Sequence, residues 1–226
     1  MSGGGDVIRI RDCVLFDLDG TLWDATGVTA DAWVQVLADH PDVKPAVPMD
    51  TVHIKRYMGL TNEELAEVFF PGLPFEEAFA LMMESCGWEN RWLPEKGGIL
   101  YDGAEETLRT LHEKGVRLFV VSNCQDGYIE AFLTAHRMYG VIEDWECTGR
   151  TGKCKADNIG EVIRRNHLLY PVYVGDTISD RNGADGAGIP FIYAKYGFGE
   201  SEGRGRVTEY EDSAASIREL LDRCAE

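Results

Sequence analysis

Cys13-Val14-Leu15-Phe16-Asp17-Leu18-Asp19-Gly20-Thr21-Leu22-Trp23 joins an apolar run to two closely spaced acids. The run Val14–Phe16 is apolar, shows no polar alternation and leads toward a glycine, the pattern of a strand buried on both faces. It ends in two carboxylates one residue apart, which a buried strand tolerates only where their charge is relieved. Two like charges about 4 Å apart repel by roughly 4 kcal/mol at an effective dielectric of 20. A bound cation is the simplest relief. Asp and Gly are also ordinary turn residues, so the pair alone leaves a plain turn open.

Outward from this stretch the pattern changes twice. Val28–His40 carries Val28, Ala32, Trp33, Val36 and Leu37 at helical spacing. Pro41, Pro45 and Pro48 mark a loop, and Met49–Met58 reads as a second helix. Thr61-Asn62-Glu63-Glu64 has the form of a capping box opening a third helix through Phe70, which Pro71-Gly72 stops. Phe75–Trp92 reads as a fourth, broken near Gly87. No strand is expected from Val28 to Lys96. Beyond it, helical and strand patterns alternate: helix Gly103–Lys114, strand Val116–Val121, helix Gly127–Met138, a weak strand Asp144–Thr148 and helix Lys155–His167. Strand Val172–Val174, helix Ser179–Ala187, strand Pro190–Ala194 and a closing helix Ser213–Ala225 complete the chain. A Gly/Glu/Arg-rich loop at 197–206 is expected to be mobile. Alternation of this kind predicts an α/β fold, a Rossmann-like parallel sheet wound by helices on both faces. The expected division is a core of residues 1–23 plus 98–226, with an inserted all-helical cap domain at 24–97.

Composition narrows the functions. With 226 residues and 44% apolar content the chain can bury a substantial core. A net charge of −17 repels nucleic acid and anionic membrane, so neither is an expected partner. An anionic substrate then requires local positive charge at its site. The six cysteines show no C-x-x-C pair and no zinc-like spacing with the histidines, and are expected to act as buried hydrophobes. Cys124 stands out because of its neighbours. His40, His53, His112, His136 and His167 match no motif. The opening Met-Ser-Gly-Gly-Gly-Asp has neither the basic head nor the apolar core expected of a signal peptide, and no apolar run approaches the roughly 18 residues of a membrane span. The expected location is cytoplasmic. These patterns fix no oligomeric state.

In an open parallel sheet, functional groups gather beyond the carboxyl ends of the strands. Four polar clusters fall there: Asp17 with Asp19, Ser122 with Asn123, Lys153 with Lys155, and Asp176 with Asp180. Together they supply acidic metal ligands, a hydroxyl and an amide for oxygen atoms, and a cation, the parts needed to hold and attack a phosphoryl group.

Asp17-Leu18-Asp19-Gly20-Thr21, Val121-Ser122-Asn123, Lys155 and Gly175-Asp176-Thr177-Ile178-Ser179-Asp180 resemble, in order and interval, the motifs of the haloacid-dehalogenase-like superfamily. The likeness spans essentially the whole chain and is nearest to its phosphoglycolate-phosphatase-like branch with a helical cap. The resemblance implies a phosphatase acting on a small phosphorylated metabolite. In it Asp17 is the nucleophile, Asp19 the general acid and base, and Lys155, with Lys153 as the alternative, the offsetting cation. It implies Mg2+ held by Asp17, the backbone carbonyl of Asp19 and Asp176, with Asp180 in an outer position. Gly20, Thr21, Ser122 and Asn123 would surround the phosphoryl oxygens. Asp180 could also serve only as a helix cap, and Asp24 reads as structural. Trp23, Arg56, Asn62 and Arg91 are the candidate contacts to the leaving group.

Asp19 departs from the dehalogenases, which lack a second aspartate. Asn62 occupies the place in Met58-Gly59-Leu60-Thr61-Asn62 where phosphonoacetaldehyde hydrolases carry a lysine and beta-phosphoglucomutases an arginine. A sugar-phosphate mutase and a non-catalytic phosphate-binding regulatory protein are the competing readings.

Overall fold

The computed structural model describes residues 7–199 and 212–224. The apolar run of the opening stretch is β1 (Cys13–Phe16), with every side chain buried. In chain order it is followed by β2 (Trp23–Asp24), α1 (Thr26–Asp39), α2 (Thr51–Lys55), α3 (Asn62–Phe69), α4 (Phe75–Lys96), β3 (Ile99–Leu100) and α5 (Ala104–Glu113). Then come β4 (Arg117–Ser122), α6 (Tyr128–Ala135), β5 (Asp144–Cys147), α7 (Thr148–Thr151), α8 (Lys155–Asn166), β6 (Pro171–Gly175), α9 (Ile178–Ala187), β7 (Phe191–Ala194) and β8 (Ser213–Ala214). A 3-10 helix over Ile217–Arg223 ends the described chain.

The six strands of the main sheet are all parallel and run in the order β5-β4-β1-β6-β7-β8. Alternation sorts the side chains of β1. Val14 and Phe16 join a core with Leu118, Val120 and Val174, covered by Leu108 of α5 and Phe132 of α6. Cys13 and Leu15 face the opposite layer with Phe119, Val121 and Tyr173, covered by Ile159 and Val162 of α8. Apolar on both faces, β1 is the centre of an α/β sheet. The winding runs outward through β4 and β5, then returns to β6 on the other side of β1. Ligands of open α/β sheets bind at such a reversal, beyond the carboxyl ends of the strands.

Residues 26–96 hold α1 to α4 and no strand, around a separate core that includes Trp33, Val36, Ile54, Phe69 and Met82. The capping box at Thr61 forms as the sequence indicates, with reciprocal bonds between Thr61 and Glu64. At the two ends of this segment the chain pairs with itself: β2 and β3 form an antiparallel pair that the residue pattern did not announce.

Three element expectations need correction. Gly87 does not break α4, which runs unbroken over 22 residues. The buried stripe Leu81, Met82, Ser85, Cys86, Glu89 and Leu93 crosses that position, and packing along it outweighs the roughly 1 kcal/mol helix penalty of one glycine. Met49–Met58 forms only the short α2. The expected closing helix begins instead as β8, because Ser213 and Ala214 add to the sheet edge beside Tyr193 and Ala194. The chain then turns into the 3-10 helix, where Arg223 pairs with Asp212 and donates to the Ser213 carbonyl at 2.7 Å. The Gly/Glu/Arg-rich loop lies, beyond Gly199, outside the described residues, as do Ala225 and the first six residues.

Candidate active site

Asp17 follows β1 directly, and its backbone N–H donates to the Val174 carbonyl of β6 at 2.9 Å, which fixes it at the sheet reversal. Lys155, the first residue of α8, sends Nζ to Asp17 Oδ1 at 2.8 Å and to Asp180 Oδ1 at 2.5 Å. Oxygens of Asp17, Asp176 and Asp180 all lie within 4.8 Å of one another. Three segments widely separated in sequence thus meet at one point. Lys153 is exposed in the preceding loop, whereas Lys155 is buried.

The acidic residues are held differently. Asp180 Oδ2 accepts from Thr177 Oγ1 at 2.7 Å and from the Thr177 and Asp176 backbone N–H groups. These bonds form a capping box at the start of α9. Its other oxygen faces Lys155, so Asp180 braces the lysine and the turn and has little capacity left for a metal. Asp176 accepts from Thr21 Oγ1 at 3.3 Å and from the backbone N–H groups of Phe198 and Gly199. Gly20 lies against it with φ of 84°; a Cβ there would fall 2.2 Å from Asp176 Oδ2, so only glycine fits. Asp19 Oδ1 accepts from the hydroxyl of Tyr128 at 3.0 Å.

Burial dominates the electrostatics. It raises the Asp17 carboxyl to about 6, helped by Asp180 and opposed by Lys155. It holds the Asp19 carboxyl well above the usual range, with the neighbouring Asp17 charge adding to it. Asp176 is raised as well, by burial and then by Asp180 and Asp17. Burial alone would lower Lys155, but the charges of Asp17 and Asp180 outweigh it and keep the ammonium protonated. Three buried carboxylates, Asp17, Asp176 and Asp180, share one cation, an arrangement that a divalent metal ion relieves.

A small cavity of about 50 Å³ opens beside this cluster. Asp17, Asp19, Ser122, Asn123, Gln125 and Tyr128 line it from the sheet side; Thr29, Trp33, Leu60, Asn62 and Glu89 line it from the helical segment. Asn123 is a tie as well as a lining residue: its amide donates to the Gly59 carbonyl at 3.0 Å and to Ser179 Oγ at 3.1 Å. Of the expected leaving-group contacts, only Asn62 lines the cavity. Trp23 is fully buried, edge-on to Tyr128, Phe132 and His136, and is a packing residue. Arg91 is exposed and stacks on Trp88 at 4.5 Å, away from the site. Arg56 lines a separate opening with Lys55, Asp24 and Phe198. Asp24 is structural, accepting from Thr26 and pairing with Lys55 at 2.6 Å. Cys154 is exposed rather than buried, while Cys124 lines the cavity.

Glu89, Gln125, Tyr128 and Tyr173 had no motif to announce them. Tyr173 donates to the Val121 carbonyl at 2.6 Å behind Asp180 and reads in sequence as an ordinary core strand residue. Glu89 left one usable signal: an acid on the buried stripe of α4, where the period demands an apolar side chain.

The sequence profile of the haloacid dehalogenase-like hydrolases matches residues 14–194, which contain every one of these groups. The chain belongs to that family. As a haloacid dehalogenase-like hydrolase it is 27% identical over 233 residues to a phosphoglycolate phosphatase of Pseudomonas fluorescens, covering 96% of this chain and 81% of the relative. It is 29% identical over 231 residues to a 5'-nucleotidase of Pseudomonas aeruginosa, covering 92% and 95%. Among solved structures, a protein described as a predicted phosphoglycolate phosphatase from Haemophilus somnus superposes with a TM-score of 0.77 at 19% identity, covering 94% of this chain and 97% of that one. Among the described residues no helix is long and apolar enough to cross a membrane. Family and relatives support a phosphatase.

Proposed function

We propose that this haloacid dehalogenase-like hydrolase is a magnesium-dependent phosphomonoesterase acting on a small phosphorylated metabolite. The observation that carries the reading is the contact of Lys155 Nζ with Asp17 Oδ1 at 2.8 Å, beside the carboxylate oxygens of Asp176. Asp17 attacks phosphorus in line and forms an aspartyl-phosphate, while the bond to the leaving oxygen breaks. Asp19, whose carboxyl burial raises above the usual range and whose Oδ1 accepts from Tyr128, gives its proton to that oxygen. It then takes a proton from the water that releases phosphate and restores Asp17. Lys155 offsets the charge of the nucleophile, and Ser122 with the backbone at Gly20 and Asn123 receives phosphoryl oxygens.

The hard carboxylate oxygens of Asp17 and Asp176, with the backbone carbonyl of Asp19, fit Mg2+. Bound there, the ion supplies charge neutralisation for the transferring phosphoryl group. Thr21 and Gly20 serve the metal ligand Asp176, by a hydrogen bond and by leaving it room. Residues 24–97 act as a cap that excludes water from the cleft.

The test is phosphate release from a panel of small phosphoesters, 2-phosphoglycolate included because relatives carry that name, with Mg2+ and with EDTA. Release that depends on Mg2+ is expected. No release from any ester, or release indifferent to EDTA, contradicts the proposal.

A further inference from the structure

The mechanism leaves Glu89 unused, and its position is costly. It is 4% exposed on a helix of the cap, and it faces the same small cavity as Asp17 and Asp19. Its oxygens accept from Trp33 Nε1 at 2.6 Å and from Gln125 Nε2 at 2.8 Å. A carboxylate offers about four acceptor sites, so these two neutral donors fix its orientation and leave acceptor capacity toward the cavity. Among the described residues no Lys, Arg or His lines that cavity, and none pairs with Glu89. The cations Lys55 and Arg56 line a different opening, and Lys55 is held by Asp24.

A buried carboxylate without a cation is destabilising unless something else supplies the donors it lacks. Burial pushes Glu89 up to about 7, against an ordinary value of 4.5. A leaving group with a hydroxyl or an ammonium supplies the missing donor. One with a carboxylate puts a second negative charge in a small pocket that already holds the Glu89 carboxylate.

We propose that Glu89 is a specificity-determining residue, selecting phosphomonoesters whose short leaving group carries a hydrogen-bond donor and disfavouring those whose leaving group is anionic. This rests on the phosphatase reading above. It departs from what the names of several relatives suggest, since glycolate is an anionic leaving group.

The experiment compares kcat/KM, with Mg2+, for glycerol 3-phosphate, phosphoethanolamine, 2-phosphoglycolate and the general substrate p-nitrophenyl phosphate, in wild type and Glu89→Gln. The better donor-bearing ester is expected to exceed 2-phosphoglycolate by at least about tenfold in wild type. Glu89→Gln, which keeps the size and removes the charge, is expected to shrink that ratio by about tenfold or more. The two donor esters separate a hydroxyl preference from an ammonium preference, and either supports the proposal. A wild-type preference for 2-phosphoglycolate overturns it, and so does a ratio unchanged by Glu89→Gln. The wild-type ratio alone is decisive if the variant does not fold. Absence of turnover on every ester, p-nitrophenyl phosphate included, overturns the phosphatase reading and this proposal with it.

Discussion

Lys155 stands between two buried carboxylates, and each side chain makes the others tolerable. Lys155→Met strands Asp17 and Asp180 without their cation, a loss of about 3–5 kcal/mol. Urea unfolding in EDTA should show it as a lower midpoint, and an unchanged midpoint contradicts the pairing. The chemistry assigns distinct outcomes to the neighbouring acids. Asp17→Asn should reduce phosphate release to background with the far-UV circular dichroism retained, and Asp19→Asn should lower kcat by roughly 10²–10⁴-fold. Glu89 makes a prediction about pH. With its folded value raised to about 7 from 4.5, the folded state binds more protons than the unfolded state between those limits. Stability from this group is therefore lost as pH rises. Relative to Glu89→Gln, wild type should lose roughly 2–3 kcal/mol of stability between pH 5 and pH 8, checked by urea titration at both; a constant difference contradicts it. The paired aspartates were legible in the sequence because they follow a buried strand, where polar groups are anomalous; Lys155, which opens α8, was singled out through the family resemblance. Glu89 was not, because hydrogen bonds to Trp33 and Gln125 make its burial possible and neither partner is near it in sequence. Trp23 misled for the opposite reason: adjacency to the motif suggested the site, but its ring packs inward.

At the scale of elements, periodicity and capping were readable where local chemistry decides, and misleading where distant contacts do. The capping boxes at Thr61 and Thr177 are local, and the first was visible in sequence. Gly87 shows the limit: a local breaker lost to a stripe of buried side chains on both sides of it. Its surroundings make a direct prediction. A Cβ added at Gly87 meets nothing within 4 Å, so Gly87→Ala should gain about 0.5–1 kcal/mol from helix propensity. Thermal unfolding should register that as a rise of about 2 °C; a fall means α4 is not continuous there. The C-terminal segment failed in the other direction, since strand pairing with β7 and the Arg223 contacts are invisible to helical spacing.

For the whole molecule, the order of elements along the chain already implied a parallel sheet interrupted by helices, because βα alternation admits few topologies. What alternation does not contain is how the helical segment faces the sheet. Hydrogen bonds from Asn123 to the Gly59 carbonyl, from Gln125 to Glu89 and Asn90, and from Asn90 to the Asp126 carbonyl help to set it. They close the cavity over groups whose sequence separations reach 138 residues, as between Lys155 and Asp17. The −17 net charge sharpens the consequence: an anionic substrate needs local positive charge, and among the described residues Lys155 is the cation beside Asp17, to which the proposed metal ion would add. In the proposed reaction the phosphoryl group passes through Asp17, which chemical trapping can catch. Wild-type enzyme turning over a phosphoester with Mg2+ is quenched, reduced with borohydride and digested for mass spectrometry. Reduction of an aspartyl-phosphate leaves homoserine, which should appear at position 17 and only when substrate was present; turnover with Asp17 unmodified, or with the mark on another residue, would contradict the account.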